Sequence, residues 1–279
     1  MPLTPLLFSR HAALNKGPEL PRDLLVLALL ALATLFAAPR ADAQDNYEIQ
    51  VYDSETVDPG KTMIELHSNF TIDGSKTIIN GVLPTDHAEH ETIETTHGFT
   101  DWFELGFYIF TYERSGFGVQ WVGDHIRPRV RFPAKWKWPV GLSLSNEIGY
   151  QRAKFSVDTW TWEIRPIVDK QIGPWYLSFN PTLDRSFHGQ SVHQGVVFSP
   201  DAKFSYNFTP KIAGGLEYYG STGPITGFLA LNQQQHQIFP AIDLNVSPKW
   251  EINFGLGVGV TRATDHLIAK MILGYRFDF

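Results

Sequence analysis

Apolar and polar residues alternate with a period of two along most of the chain after residue 62. The stretch 142–150, LSLSNEIGY, places leucine, isoleucine and tyrosine on one face and serine, glutamate and glycine on the other. The final stretch, 266–279, has the same form, with an apolar residue at every second position back from Phe279. Because successive side chains of a β-strand point to opposite sides, this pattern predicts strands with one apolar and one polar face.

Turns that carry proline and tryptophan recur between these segments. Proline punctuates turns, and tryptophan favours the boundary between membrane and water, where its apolar ring and polar N–H are both satisfied. A soluble sandwich accounts for alternation in any single strand, but not for tryptophan at one kind of turn. Strands of about 10–14 residues also suit a tilted crossing of a bilayer. The pattern therefore favours a membrane-spanning barrel, with these turn tryptophans at one interface: Trp102, Trp136, Trp138, Trp175 and Trp250.

The alternating segments predict an all-β fold, an antiparallel up-and-down barrel of about twelve strands. An even number places both chain ends on the same side, as single-chain bacterial barrels require. The tryptophan and proline turns are then periplasmic, and the longer connections are extracellular loops at 73–88, 187–193 and 221–234.

Five prolines fall inside the predicted strands, where a residue without an N–H cannot donate to the ladder. Most of them lie at a similar distance from a turn, on strands of the same direction. Their repetition predicts a bulge or a missing hydrogen bond at one level of the wall. The prolines are Pro128, Pro166, Pro181, Pro200 and Pro240.

The N-terminus is unlike the rest of the chain. Residues 24–38, LLVLALLALATLFAA, are an apolar run that is too short for a comfortable transmembrane helix. Basic residues precede it, and Ala41-Asp42-Ala43 fits the small-x-small pattern before a signal-peptide cleavage site. We therefore predict a signal peptide over 1–43, with a retained membrane anchor as the alternative. Residues 44–61 lead into the barrel of 62–279, and this lead-in lies either in the periplasm or inside the lumen.

Composition excludes several classes of function. The 279 residues contain no cysteine, which rules out disulfides and thiol chemistry. The formal charge of -6, without a basic patch interleaved with aromatic residues, argues against a nucleic-acid partner. No motif predicts a cofactor.

The combined pattern resembles that of bacterial outer-membrane β-barrel proteins. The last strand of such proteins typically ends on an aromatic residue, usually phenylalanine, with apolar or aromatic residues at alternate positions before it. Tyr275, Phe277 and Phe279 match this signal. The mature chain also looks like uncharacterised, transporter-type members of the class. The resemblance implies a Gram-negative outer membrane, contact with its lipids, and recognition of the last strand by the barrel assembly machinery.

The polar face of such a barrel lines the lumen. Its sharpest candidates, Arg127, Arg129 and Arg131, stand in line on one strand and would form a ladder for anions. Glu147, Glu163 and Asp169, on the next two predicted strands, are their expected ion-pair partners, in which case a salt-bridge network fills the lumen. The alternation assigns these charged residues to the lumen: Arg127, Arg129, Arg131, Glu147, Glu163, Arg165, Asp169, Asp201, Lys203, Glu217 and Asp243.

A metal site is conceivable in the predicted loop TDHAEH, residues 85–90. His87 and His90 are three residues apart and would share a metal ion only if the loop turns helically. A solvated acidic loop explains the same residues, so no metal site is predicted here.

A lipid hydrolase is the enzymatic alternative. Ser186 with His188 and Ser191 with His193 have an i, i+2 spacing that places both side chains on one strand face. Nucleophilic catalysis also needs an orienting group in contact with the base, and neither pair supplies one by spacing. We therefore expect a channel or passive transporter for a small solute rather than a structural barrel with a closed lumen or an enzyme.

Overall fold

The computed structural model describes residues 46–278, which form a closed barrel of twelve antiparallel strands. Each strand pairs with its neighbours in sequence, and β1 pairs with β12 to complete the wall. The predicted all-β, up-and-down barrel is therefore confirmed. The strands are β1 (Lys61–Asp73), β2 (Ala88–Thr100), β3 (Phe103–Arg114), β4 (Gly118–Arg131), β5 (Gly141–Gln151), β6 (Asp158–Ile172), β7 (Trp175–Gly189), β8 (Val196–Thr209), β9 (Ile212–Ser221), β10 (Gln235–Leu244), β11 (Trp250–Gly259) and β12 (Leu267–Asp278).

One short 3-10 turn, Ala134–Trp136, lies between β4 and β5. Among the described residues we find no helix with the length and apolar character needed to span a bilayer. The predicted signal peptide, residues 1–43, and the terminal Phe279 lie outside the described residues.

The two ends of the barrel carry different connections. We call the end where Lys61 pairs with Asp278 the turn end and the opposite end the loop end. Three connections at the turn end are tight turns, at 101–102, 173–174 and 210–211. Long connections at the loop end occupy 74–87 and 222–234, close to two of the three loops expected from the sequence.

The third expected loop, 187–193, is shorter than the alternation indicates. β7 continues to Gly189, which leaves only 190–195 to connect it to β8. The carboxylate of Asp158 holds this connection, because its Oδ1 accepts hydrogen bonds of 2.9 Å from the Ser186 hydroxyl and the Ser191 N–H.

The barrel is apolar outside and polar inside, the reverse of a soluble sandwich. Buried polar side chains line the inner face of every side of the wall, whereas large apolar side chains are exposed on the outer face. Aromatic side chains form a belt at each end of this apolar band, as interfacial residues do in a bilayer. The exposed tryptophans are Trp102, Trp136, Trp138, Trp175 and Trp250 towards the turn end, and Trp121, Trp160 and Trp162 towards the loop end.

The prolines inside strands coincide with interruptions of the hydrogen-bond ladder. Pairing of β4 with β5 skips Pro128, pairing of β6 with β7 skips Pro166 and Pro181, and pairing of β10 with β11 skips Pro240. Pro200 lies at the edge of the pairing between β8 and β9. On its other side each proline stays in register. The single missing N–H of proline thus opens the ladder on one side of the strand only.

Residues 46–57, which we call the luminal segment, run through the barrel from the loop end to the turn end. At the loop end, the Asn46 amide donates to Asp265 between β11 and β12 at 2.7 Å. At the turn end, the Val57 N–H donates to Glu104 Oε2 at 2.7 Å. The sequence left the lead-in in either of two places, and residues 46–57 of it therefore lie inside the lumen.

The luminal segment gives the lumen an apolar core on two sides. Tyr47 packs among aromatic side chains of β3 and a valine of β4, and Ile49 and Val51 pack against Tyr219 and Phe239 of β9 and β10. These clusters exist only because the segment fills the lumen, since the wall itself contributes mostly polar side chains to the interior.

The orientation of the wall predicts how it responds to charge. Ile126 of β4 is exposed on the outer face, and Ile78 is exposed in the loop 74–87. We expect Ile126→Arg to lower the free energy of unfolding in lipid vesicles by about 2–4 kcal/mol, because it places a charge in hydrocarbon. Ile78→Arg, the matched control, should change it little. Urea titration followed by tryptophan fluorescence measures both, and equal effects of the two variants would contradict the proposed bilayer position.

Candidate functional site in the barrel lumen

Tyr52 of the luminal segment lies at the centre of the lumen. Its hydroxyl is 3.1 Å from the Tyr108 hydroxyl and also donates to Glu48 within the segment. Its side chain is buried, so the cation–π contacts it makes are of the stronger, desolvated kind. Three guanidinium groups of the wall face its ring, with Cζ-to-centroid distances of 5.1 Å for Arg127, 5.8 Å for Arg129 and 4.8 Å for Arg165.

Wall side chains also hold the backbone of the luminal segment. The Tyr52 N–H donates to Asn180 Oδ1 at 2.8 Å, and its carbonyl accepts from Ser178 Oγ at 2.6 Å and Asn180 Nδ2 at 3.1 Å. Nearer the turn end, Asp169 accepts from the N–H of Ser54 at 2.7 Å and from its hydroxyl at 2.9 Å. The wall thus supplies the donors and acceptors that an extended segment inside a barrel would otherwise lack.

The loop end holds the start of the segment in the same way. Thr92 Oγ1 donates to the Tyr47 carbonyl at 2.6 Å, and Asn69 Nδ2 donates to the Asn46 carbonyl at 2.9 Å. Burial raises the pKa of Asp265, because it disfavours the charged form. The hydrogen bond from Asn46 has the opposite effect, because it stabilises the carboxylate, but burial is the larger effect. The segment is therefore fixed at both ends and in the middle.

Arg127 is the hub of the charge network in the wall. Its Nη1 donates to Glu104 Oε1 at 3.0 Å, and its Nη2 donates to Glu94 and, at 3.2 Å, to Thr96 Oγ1. Arg129 Nε lies 3.0 Å from the same Glu104 oxygen. Both guanidinium groups are buried and both are paired, as burial of charge requires.

The ion-pair partners that the sequence predicts for these arginines are wrong. The sequence predicts pairing with acids of β5 and β6: Glu147, Glu163 and Asp169. The structure instead provides Glu94 and Glu104, from β2 and β3. The residue opposite Arg127 on β3 is Gly106, and a Cβ there would lie 3.3 Å from Arg127 Nε. The missing side chain lets the guanidinium cross β3 and reach β2.

The three acids have other partners. Glu147 contacts His125 Nδ1 across β4 and β5. Glu163 accepts two hydrogen bonds from Arg165, from Nε at 2.7 Å and from Nη2 at 3.0 Å, in the bidentate geometry that favours arginine. Asp169 holds the luminal segment, as described above. Each of them neutralises or binds a group that is not on the arginine ladder.

Two predicted lining residues stand apart from the ion pairs. Arg131 is half-buried at the turn end of β4, and Asp201 is buried on β8. Neither forms an ion pair with another residue of the described range 46–278. The predicted ladder is thus two paired arginines inside the barrel and a third at its mouth.

A second charge network ties the opposite wall to the segment. Lys203 Nζ donates to Asp243 Oδ1 at 2.7 Å and lies 3.1 Å from Glu217 Oε1. Lys270 pairs with the other oxygen of Glu217 and donates to the Ile49 carbonyl at 3.0 Å. This lysine therefore joins two strands of the wall, β9 and β12, to the backbone of the segment.

Two cavities remain in the lumen, separated by the luminal segment. The loop-end cavity, of about 510 Å³, is lined by Tyr47, His90, Tyr112 and Phe155 among others. The turn-end cavity, of about 530 Å³, is lined largely by charged residues, including Glu65 and Arg129. Both volumes fall in the range of small-molecule sites.

The weaker candidates are not brought together. His90 is buried with its ring between Tyr47 and Tyr112, at centroid distances of 5.0 and 5.7 Å. His87 is exposed in the loop and its Nδ1 lies 2.9 Å from Asp86 Oδ2, so the two histidines do not share a site.

The serine and histidine pairs of the hydrolase reading are also separate. The Ser186 hydroxyl donates to Asp158, and His188 Nδ1 lies 2.7 Å from the Thr159 hydroxyl. Within the described stretch 186–193, no serine hydroxyl is hydrogen-bonded to a histidine. The contact that nucleophilic catalysis requires is therefore absent from this stretch.

The C-terminal aromatic residues lie at the turn-end belt. Tyr275 packs edge-on against Trp250 at 4.8 Å and against Phe277 at 4.8 Å. On the seam that closes the barrel, Tyr275 is opposite Ile64 and Phe277 is opposite Thr62. They stand where the first and last strands must be joined.

Several lumen residues were not singled out by the sequence. Glu94 lies on β2 in the stretch HETIETTHGF, where polar residues occupy both faces and the alternation is weak. Glu48 and Tyr52 precede the first strand, where no periodic signal applies. The alternation of Tyr47, Ile49 and Val51 was the one available sign that this segment packs.

Solved structures of similar fold include an outer-membrane channel and a porin. An outer-membrane channel from Pseudomonas putida F1 matches with a TM-score of 0.54 and 12% identity, over 82% of this chain and 100% of that chain. The KdgM porin matches with a TM-score of 0.48 and 10% identity, over 77% and 99% of the two chains. The first of these matches shows the fold: with its apolar outer face and charged lumen, the chain folds as an outer-membrane β-barrel.

The family is shown by sequence. A family model described as "Putative MetA-pathway of phenol degradation" matches residues 128–277, and the chain belongs to this family. No curated protein matches the chain in sequence. The matched residues cover the wall from the last four residues of β4 almost to the end of β12.

The pairing of Arg127 predicts a large effect on stability. We expect Arg127→Gln to lower the free energy of unfolding by roughly 3–5 kcal/mol, because it leaves Glu94 and Glu104 buried with less compensation. Arg131→Gln, on the same strand but half-buried and without an ion pair, should cost no more than about 0.5 kcal/mol. Urea unfolding in vesicles compares them. If both variants unfold like the parent protein, the paired network does not stabilise the barrel.

Proposed function

We propose that the protein is a channel or passive transporter for a small solute, closed at rest by its own luminal segment. The observation that carries this proposal is the segment itself, which lies across the lumen between two cavities. A solute that crosses the barrel must pass the level of Tyr52, where three guanidinium groups and a tyrosine ring occupy the centre.

The construction of the barrel supports movement of the segment. The wall closes through strand pairing alone, from β1 to β12, and none of the twelve described strands pairs with residues 46–57. The segment is held by side chains of the wall, through apolar contacts and hydrogen bonds that each contribute about 0.5–1.5 kcal/mol net, or about 1.5–3 kcal/mol where one partner is charged. Exchange of these bonds for water therefore opens the lumen without breaking the wall.

The rival functions are less well supported. A purely structural barrel gains nothing from a cavity of small-molecule size on each side of a separable segment. A lipid hydrolase needs a serine in contact with a histidine, and the predicted pairs make no such contact. The charged lining of the lumen is the expected feature of a selective pore.

A narrower proposal concerns the class of solute. The loop-end cavity combines aromatic side chains with polar groups, including His90 and Thr85, and so suits a small aromatic ring that carries hydroxyl groups. The description of the family refers to phenol degradation, which fits this chemistry. We therefore propose small phenolic compounds as the first solutes to test.

We also propose the route by which the protein reaches its site. Residues 1–43 act as a signal peptide cleaved after Ala43, and the mature chain inserts in the outer membrane of a Gram-negative bacterium. The small-x-small pattern at 41–43 supports the cleavage, and the aromatic end of β12 supports recognition by the barrel assembly machinery. Outer-membrane lipids cover the apolar outer face, with the turn end towards the periplasm.

Movement of the segment can be tested by tying it to the wall. The chain has no cysteine, so Ser54→Cys with Asp169→Cys introduces the only pair, at side chains that are now 2.9 Å apart. We expect a short, reducible thiol cross-linker to abolish solute flux and planar-bilayer conductance, and reductant to restore both. The single Ser54→Cys variant treated in the same way is the control. Equal conductance with and without the cross-link would show that the segment does not gate the lumen.

The solute class has a separate test. We expect vesicles that contain the protein to take up 4-hydroxybenzoate faster than gluconate, because both are monoanions but only the first offers an aromatic ring to the loop-end cavity. Protein-free vesicles measure the background for each solute. Equal or slower uptake of 4-hydroxybenzoate would reject the phenolic class and leave the channel proposal in place.

A further inference from the structure

Three donor groups from β1 and β2 converge on the inner face of the wall. Glu65 and His67 are two residues apart on β1 and therefore point to the same side. Glu94 of β2 is the direct cross-strand partner of Glu65. One ligand atom from each residue lies within 4.8 Å of the other two, and His67 Nε2 is 3.5 Å from Glu94 Oε2.

These groups are buried, and four of their polar atoms lack a hydrogen-bond partner, although His67 and Glu94 face each other. Their side chains are almost fully shielded, with relative exposures of 6% for Glu65 and 0% for His67 and Glu94. Glu65 Oε1, both ring nitrogens of His67 and Glu94 Oε2 accept or donate no hydrogen bond among the described residues. Buried polar groups of folded proteins are nearly always satisfied, so four unsatisfied atoms at one point indicate a missing partner.

The charges at this point also lack compensation. Two carboxylates directly opposite each other on paired strands repel, and burial strengthens the repulsion. Arg127 compensates the charge of Glu94 by pairing with Oε1, the other oxygen of this carboxylate. Glu65 forms no ion pair with any described residue. A bound cation would compensate both carboxylates and would occupy the free oxygens that the arginine leaves.

We infer that Glu65, His67 and Glu94 bind a divalent transition-metal ion, with Zn²⁺ as the best fit. Zn²⁺ accepts both imidazole nitrogen and carboxylate oxygen as ligands, whereas Ca²⁺ and Mg²⁺ prefer sites made of oxygen alone. Zinc bonds of about 2.0–2.2 Å place tetrahedral ligands roughly 3.3–3.6 Å apart, which the distance of 3.5 Å from His67 to Glu94 already matches. The Glu65 ligand atom lies within 4.8 Å of the other two and has to move closer to complete the set.

The surroundings provide access and a coordination position. Glu65 lines the turn-end cavity, so an ion can reach the site from that end and water can complete its coordination. The site lies entirely on β1 and β2, next to the closing seam with β12, and uses no residue of the luminal segment. It therefore does not depend on the proposed movement of the luminal segment. A bound ion would link the first two strands.

The experiment uses the full mature barrel in detergent, stripped with a chelator and titrated with Zn²⁺ by calorimetry. We expect one saturable site per chain. We expect His67→Gln to weaken binding by at least about 100-fold, since loss of a group that only orients a metal ligand already costs 10–100-fold. His87→Ala, which removes an exposed histidine of the loop, should bind as the parent does. Heat-modifiable migration on gels shows which variants are folded.

A second measurement does not depend on a variant. Co²⁺ loaded into the parent barrel should give the visible absorption of a four- or five-coordinate ion, and X-ray absorption of the zinc form should show one imidazole among oxygen ligands. A folded parent barrel without saturable zinc binding would overturn the inference. So would unchanged affinity in folded His67→Gln, or a zinc spectrum with more than one imidazole.

Discussion

The structure depends on the neutralisation of charge inside a narrow barrel. A barrel of twelve strands that turns its polar face inward must pair that face with something, because isolated charges in a poorly hydrated interior are very costly. Water fills this role in wide porins. Here a peptide segment does much of it, and Tyr52 lies against three guanidinium groups whose carboxylates come from β2, β3 and β6. At the level of Tyr52, the lumen is thus packed like a protein core made largely of polar groups.

The wall and the segment contribute different parts of the structure. Strand pairing and the apolar outer face define the barrel, and the segment supplies the apolar side chains and backbone groups that the inner face needs. Lys270 shows the division clearly, because it neutralises Glu217 of the wall and also binds the Ile49 carbonyl of the segment. A protein built this way can keep its fold while its lumen changes between two states of packing.

The alternation of apolar and polar residues was sufficient to predict the class of fold and the number of strands. It is a strong signal because a shift of one residue along a strand would turn every side chain to the opposite face. It could not identify ion-pair partners. An inward arginine reaches acids on either side, and the decisive residue was Gly106, whose effect is a missing side chain. The prolines were recognised as an irregularity, but only strand pairing shows that each interrupts the ladder on one side. The alternation of Tyr47, Ile49 and Val51 indicates that 46–57 packs, but it does not say where, since the contacts of this segment come from strands far away in sequence.

The direction of the luminal segment has a consequence for the order of assembly. Asn46 lies at the loop end and β1 starts at the turn end, so the segment runs back through the lumen from the start of β1. The first strand of the wall and the segment that fills the lumen are therefore one continuous piece of chain. Pairing of β1 with β12 closes the wall and brings the turn-end part of the segment to the mouth of the lumen in the same step. Filling of the lumen is thus intramolecular and does not depend on protein concentration.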